Sequence, residues 1–341
     1  MRVRLAVLAA ALGFSAIRAV HAQERAAAGW RGASLVGSTR IAFDATYDRP
    51  NDDSDPPVSL FGGTAAAVRF VSPHWQLGVN PSWEWVSQGS RRYYSGAAVL
   101  SANYLPLTGD VSRPYLGVTL LQGGATHASG FGAWGVQGGW IHFLSPAVAL
   151  RAEARYREYS GSARLEIADV LLTFDPYIFG RANEPVTKLP GLGVFDAIVF
   201  ADYQYRPTHT GTLDASVAPF LTRWLQVGTT ANFSFYFDAS DGAHYIELFG
   251  RGYLPISTRV LPFAEFFGAN ESLSGSNGVS NRSHGERGGV RTYLTSGVAL
   301  DVALQWRRFP AQQQGKVVFA GRDERSIGAT LTTQFRVARP R

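Results

Sequence analysis

In the segment VALRAEARYR, residues 148–157, Arg151, Glu153, Arg155 and Arg157 occupy every second position, and Val148, Leu150, Ala152, Ala154 and Tyr156 fill the places between. A helix needs its apolar positions three and four apart, whereas a period of two sends one kind of side chain to each face of a strand. The segment is therefore read as a strand with one apolar and one charged face. The pattern returns in VALDVALQWR, residues 298–307, where Val298, Leu300, Val302, Leu304 and Trp306 oppose Asp301, Gln305 and Arg307. It runs through most of the chain, so helical and mixed folds are set aside.

Alternation places strands near 38–49, 59–71, 75–88, 94–105, 113–122, 133–144, 147–159 and 164–174, then near 194–206, 210–220, 224–237, 244–255, 260–269, 287–294, 298–309 and 325–337. Segments of the second half answer those of the first in the same order. WQLGVNPSWEW (75–85) matches WLQVGTTANFSFYF (224–237), and NYLPL (103–107) matches GYLPI (252–256). The chain reads as a duplicated unit of about eight strands.

The opening MRVRLAVLAAALGFSAIRAVHAQ has a short basic start, an apolar run too brief to span a bilayer as a helix, and small residues before Gln23. These are the marks of a secretion signal over 1–22. An N-terminal segment 23–37, a first half 38–174, a connector 175–193 and a second half 194–341 complete the organisation. The 37 Gly, 21 Phe, 14 Tyr and 8 Trp accompany only 17% charged residues, a poor fit to a surface wetted on all sides. With no cysteine, neither a disulfide framework nor a thiolate metal site is available. The net charge of +6 is dispersed rather than clustered, which argues against a nucleic-acid partner.

Connection lengths point the same way. Short turns at 72–74, 145–146, 221–223 and 295–297 alternate with longer polar stretches at 50–58, 123–132 and 270–286. Tight turns at one end and loops at the other suit a transmembrane barrel. In hydrocarbon every backbone polar group needs an internal partner, so strands cross a bilayer only when the sheet closes on itself. The apolar face then meets lipid and the charged face the lumen.

With its signal peptide, its alternating strands and its last strand SIGATLTTQF (326–335), the chain resembles Gram-negative outer-membrane β-barrel proteins as a class, with no narrower family indicated. The final strand is similar to their C-terminal assembly signal through Gly328, Leu331 and Phe335. It departs in carrying Thr333 at an apolar position and in running on through RVARPR. The resemblance implies an all-β, antiparallel up-and-down transmembrane barrel in the cell outer membrane, with outer-membrane lipid, lipopolysaccharide and the barrel-assembly machinery as partners. A homo-oligomer is compatible with it. Two architectures fit: one barrel of about sixteen strands, which is favoured, or two tandem barrels of about eight.

The expected lumen face carries Arg69, Glu84, Arg151, Glu153, Arg155, Arg157, Glu247, Arg251, Arg291, Asp301 and Arg307 as pore-lining candidates. Such charged walls set the selectivity of channels, and the alternative is a set of mutually paired charges that fill a narrow barrel. Trp75, Trp83, Trp85, Tyr93, Tyr94, Tyr104, Trp140, Tyr253 and Trp306 read as membrane-interface girdles. The acidic stretch NDDSD (51–55) lacks the glycine and terminal glutamate of a calcium loop. His127, His209, His244 and His284, all expected in external loops, show no metal-ligand spacing.

His127-Ala128-Ser129 resembles the His-x-Ser of outer-membrane lipid A deacylases, but it lacks the following Asn and an evident carboxylate partner. No catalytic residue, metal or cofactor is assigned. The reading is a passive pore for small hydrophilic solutes, followed by a non-conducting structural or surface-interaction barrel and, third, a lipid hydrolase.

Overall fold

The computed structural model describes residues 35–51, 58–107, 111–126, 130–145, 147–160, 165–178, 189–206, 209–237, 241–274, 279–314, 317–319 and 321–336. The expected signal segment and residues 23–34, Asp52–Asp55, His127–Ser129, the middle of the connector and the end of the RVARPR tail lie outside these residues.

The barrel strands are β1 (Thr39–Asn51), β2 (Val58–Phe70), β3 (Trp75–Gln88), β4 (Arg91–Tyr104), β5 (Ser112–Ala125), β6 (Phe131–Ser145), β7 (Val148–Ser160) and β8 (Leu165–Ile178) in the first half. The second half supplies β9 (Val194–Arg206), β10 (Thr210–Pro219), β11 (Leu225–Tyr236), β12 (Asp241–Tyr253), β13 (Val260–Ser274), β14 (Val279–Thr295), β15 (Val298–Phe309) and β18 (Arg322–Arg336). A small hairpin, β16 (Gln312–Gln314) with β17 (Val317–Phe319), sits between β15 and β18. Each strand pairs antiparallel with its neighbours, and β1 pairs with β18, closing a sixteen-stranded wall. The strands run from 10 to 17 residues, enough to cross a bilayer at the usual tilt.

Two sequence expectations change at the loops. The stretch 270–286 is mostly strand, because β13 runs to Ser274 and β14 starts at Val279, which places His284 in β14; His244 likewise lies in β12. Polar, serine-rich strand ends that project past the bilayer look like loop in sequence. The connector also starts later than 175: Asp175 to Ile178 belong to β8 despite Pro176, and Pro176 pairs with Val148.

The choice between one barrel and two resolves into both, at opposite ends. At the mouth, the end opposite the short turns, β1 pairs with β18 from Asp44↔Thr330 to Asn51↔Asp323, and β8 pairs with β9 from Ala168↔Arg206 to Thr173↔Phe200. At the base the partners exchange. There β1 pairs with β8 (Thr39↔Ile178, Arg40↔Tyr177) and β9 pairs with β18 (Thr333↔Ala197 through Arg336↔Val194). The wall is one sixteen-stranded sheet above and two eight-stranded lobes below.

The exchange turns outward-facing side chains of the two lobes toward each other. Leu144, Ala147, Val148, Ile178, Ala197, Val298 and Phe335 form an apolar core between the lobes, with Ile41, Leu150, Phe174, Phe195 and Leu331 against it. The short turns meet there as well: a Cβ added to Gly297 would lie 3.0 Å from the Cβ of Ala147. The seam also accounts for the unusual Thr333, which is buried and whose hydroxyl donates to the carbonyl of Ala197 across the β9–β18 join.

The pairing gives a direct check on the division. Cα atoms of directly opposed antiparallel residues sit within disulfide range, and the native chain has no cysteine to interfere. Thr39→Cys with Ile178→Cys is expected to cross-link on mild oxidation, as is Ala197→Cys with Thr333→Cys. Failure of both pairs to form a bridge in folded protein would refute the exchange.

Candidate functional site: the lumen and its charge lattices

Alternation sorts the walls clearly. On β5, Leu116, Val118 and Leu120 are exposed, Leu116 at 70%, while Arg113, Tyr115 and Thr119, of the opposite parity, are buried. The exposed set faces outward and the buried set inward, the reverse of a water-soluble globule and the arrangement a bilayer demands. Trp75, Tyr104 and Trp140 near the base and Tyr94 at the mouth are exposed on the outer wall, with Trp75 and Tyr104 in ring contact at 5.3 Å, whereas Tyr93, of the opposite parity, falls on the lumen side of β4. Tyr253 does not belong to this girdle. It is buried inside the second lobe, where its ring stacks on Phe220.

Inside the first lobe, β7 supplies the arginine ladder and β8 its counter-charges. Arg151 donates from Nε to Asp175 at 2.6 Å and pairs with Glu153 at 2.8 Å. Glu153 accepts from the Tyr115 hydroxyl, and Arg40 reaches Asp175 at 3.3 Å from β1. Higher up, Arg155 holds Asp169 in a two-pronged contact of 2.6 and 2.8 Å and stands 3.7 Å from Asp202 of β9. Arg157 lies above these pairs, and its buried Nε has no hydrogen-bond partner. Glu84 faces the mouth-side lumen and accepts from Ser95 at 3.4 Å.

The second lobe holds a denser lattice. Arg291, 1% exposed, donates to Asp196 at 2.5 Å and twice to Asp301 at 2.6 Å. Arg251 joins Asp301 at 2.8 Å and Glu265 at 2.6 Å, and Arg287 bridges Glu265 to Glu247. Arg307 completes the upper edge through Glu247 at 3.5 Å and the Tyr245 hydroxyl. A cavity of ≈ 490 Å³ lies among these groups, lined by Arg287, Arg307, Glu247, Asp214 and Ser326 among others. A second cavity of ≈ 490 Å³ lies in the mouth-side lumen beside Asp44, Glu84 and Trp83.

Ten of the eleven pore-lining candidates thus point inward, and the lattices take eight of them into ion pairs. Arg69 is the exception. It alternates with the buried, inward Val68 and Phe70, stands opposite Thr39, and is exposed on the outer wall at the base. Its misplacement has a physical reason: the lumen is apolar at the base, so polarity there no longer marks the inward face. Sequence reasoning missed Glu265, Arg287, Asp169 and Asp175. Parity along β13, from Leu261 through Phe263 to Glu265, carried the signal for the first, but the adjacent Phe266 and Phe267 make both faces look apolar.

Below each lattice the lumen is closed by aromatic and aliphatic groups. Phe70, Phe143 and Tyr177, from β2, β6 and β8, meet across the first lobe with ring centroids 5.0 to 6.3 Å apart. Arg113 lies over the Phe70 and Phe143 rings at 5.8 and 5.9 Å. Phe220, Tyr253, Leu261, Phe263 and Tyr293 do the same in the second lobe. Among the described residues no group of His, Asp and Glu is arranged to hold a metal ion.

No family model and no curated protein matches the chain. Solved structures similar to it include a TodX monoaromatic hydrocarbon channel mutant, at 10% identity and TM-score 0.37, covering 89% of this chain and 91% of that one. A bacterial polysaccharide outer membrane secretin aligns at 9% identity and TM-score 0.46, covering 89% and 99%. OccK7 (OpdD) of Pseudomonas aeruginosa aligns at 10% identity and TM-score 0.37, covering 88% and 99%. Identities and scores this low leave the assignment to the barrel's own geometry. On that geometry, a closed antiparallel wall with an apolar exterior and a charged interior, the chain has the architecture of an outer-membrane β-barrel.

Proposed function

We propose that the protein is a passive channel for small hydrophilic solutes in the outer membrane of a Gram-negative bacterium. The observation that carries this reading is the charged lumen inside a closed wall of sixteen strands, with water-accessible cavities at the mouth and among the second-lobe charges. Lining charges of both signs suit small ions and zwitterions, and their tight pairing sets a narrow passage of small conductance. Lipopolysaccharide and outer-membrane lipid cover the apolar exterior. The assembly machinery of that membrane inserts the chain through the last strand, where Ile327 is exposed on the outer wall and Phe335 lies in the seam between the lobes. Duplication of an eight-stranded unit supplied the two halves. Gln76 and Gln226, Phe70 and Phe220, and Val148 and Val298 occupy matching buried places, and both halves bulge at the same turn.

A second reading, a non-conducting barrel that works through its mouth, is favoured by the same lattices, since Arg291 and Glu265 are almost wholly buried and the Arg291–Asp196 pair joins β14 to the non-neighbouring β9. Planar-bilayer recording of the folded full-length protein separates the two. Stable small steps are expected, with anion permeability reduced in Arg157→Gln, because that side chain carries the least-compensated charge of the first lobe's ladder. Persistent silence from inserted protein, verified by heat-modifiable migration, would establish the non-conducting barrel instead.

A further inference from the structure

The base of each lobe is closed by two kinds of part. Most of the closing side chains belong to strands: Phe70, Tyr115, Ile141, Phe143, Ala149 and Tyr177 in the first lobe all come from the wall. Leu35 does not. It precedes β1, is 3% exposed, and packs against closing side chains supplied by strands from around the first lobe, which places it near the lobe's axis. The second lobe repeats the device with Leu189, which precedes β9 and packs against the buried cluster that contains Phe220, Tyr253 and Phe263.

Both leucines precede the points where their turns are tied to the wall: Gly37 N–H donates to the Phe70 carbonyl at 2.8 Å, Phe70 N–H to the Ser38 carbonyl at 3.0 Å, and Phe220 N–H to the Val194 carbonyl at 2.9 Å. Ser38 N–H donates to the Leu35 carbonyl at 2.8 Å, and Val194 N–H donates to the Gly191 carbonyl at 3.0 Å. Gly37 and Gly193 take left-handed backbone, with φ of 90° and 86°, which lets the chain turn from the lobe axis into the first strand. Leu35 and Leu189 themselves lie before these bonds and outside every strand, at the low-stability end of the molecule. A swing of either leucine about its glycine leaves the strand pairings in place, whereas moving Phe70 or Phe220 would break the pairing to Gln76 or Gln226.

We propose that the two lobes are separate permeation paths, each gated at the base by its own leucine turn. This rests on the channel reading above and adds to it the number of paths and the part that opens them. One mouth feeds both lobes, since β1–β18 and β8–β9 pair there. Below the exchange, a solute passes one lobe's aromatic closure and its leucine alone, because the β1–β8 and β9–β18 pairings put a wall between the lobes.

Single-channel recording of the full-length protein in planar bilayers tests the proposal. Two conductance levels of equal step are expected, with brief openings. Leu35→Ser should lengthen the openings of one step only, Leu189→Ser those of the other, and the double variant both. To leave the buried leucines untouched, Leu192→Cys places a lone thiol at an exposed point of the second turn. A bulky thiol reagent added from the base side should then change one step and spare its twin. A single indivisible level, changed alike by variants in both lobes, would overturn the two-path proposal while leaving the channel intact. Silence in every variant, including the double, would remove the channel reading and this proposal with it.

Discussion

Arg291→Met is expected to lower the stability of the folded barrel by about 3–5 kcal/mol, the usual effect of removing one partner from a buried ion network. The size follows from what the guanidinium leaves behind. It is 1% exposed and binds Asp196 and Asp301, whose side chains are themselves 8% and 10% exposed. Asp301 would keep Arg251 and Asp196 would keep Gln226 and Gln334, but two carboxylates would face a methionine where they now face a cation. The double change Arg291→Met with Asp301→Asn should recover part of the loss, because it restores the charge balance. Arg322→Met is the control: Arg322 and Glu324 pair at 3.0 Å on the surface with 49% and 30% exposure, so its loss should cost less than about 1 kcal/mol. Reversible urea unfolding in lipid vesicles gives all three values. Equal, small losses from Arg291→Met and Arg322→Met would mean that the second-lobe lattice is hydrated rather than buried.

The strands were legible because a transmembrane wall requires period two and little else. The charged face of β7 and that of β15 identified the lumen directly, and most of the lattice arginines were found from parity alone. Parity failed where the lumen itself turns apolar. Val68 and Phe70 face inward at the base, so Arg69 was assigned to the wrong side, and Tyr253, an inward ring, passed for an interface aromatic. Asp175 was lost for a different reason, since the following Pro176 reads as the end of a strand although β8 continues to Ile178. The exchange of partners among β1, β8, β9 and β18 left no mark in the alternation. Alternation fixes which way a side chain points, whereas the choice of neighbouring strand depends on long-range pairing. The one local trace was Thr333, an anomaly in a lipid-facing strand and a fitting residue in a seam.

Val298→Asp should have the second large effect, and it probes that seam. Val298 is fully buried where the lobes meet, within the cluster formed by Val148, Ile178, Ala197 and Phe335. The described members of that cluster are all apolar, so a carboxylate placed among them costs several kcal/mol. Leu304→Asp, on the same strand with the same parity, supplies the contrast. Leu304 is 65% exposed on the outer wall, where the penalty for a charge depends on depth and is smaller for Asp than for Arg or Lys. In a plain sixteen-stranded barrel both valine and leucine would face lipid, and the position nearer the membrane boundary, Val298, would tolerate the charge better. In the lobed barrel the order inverts: Val298→Asp should abolish the compact, heat-modifiable form, while Leu304→Asp retains it at reduced yield. Hydrophobic burial is not what the seam gains over lipid, since acyl chains are equally apolar; it gains close packing between two walls. Val298→Ala should therefore cost less than a core truncation in a water-soluble protein, yet more than Leu304→Ala. A Val298 series milder than the Leu304 series would place lipid, and not the other lobe, against this face.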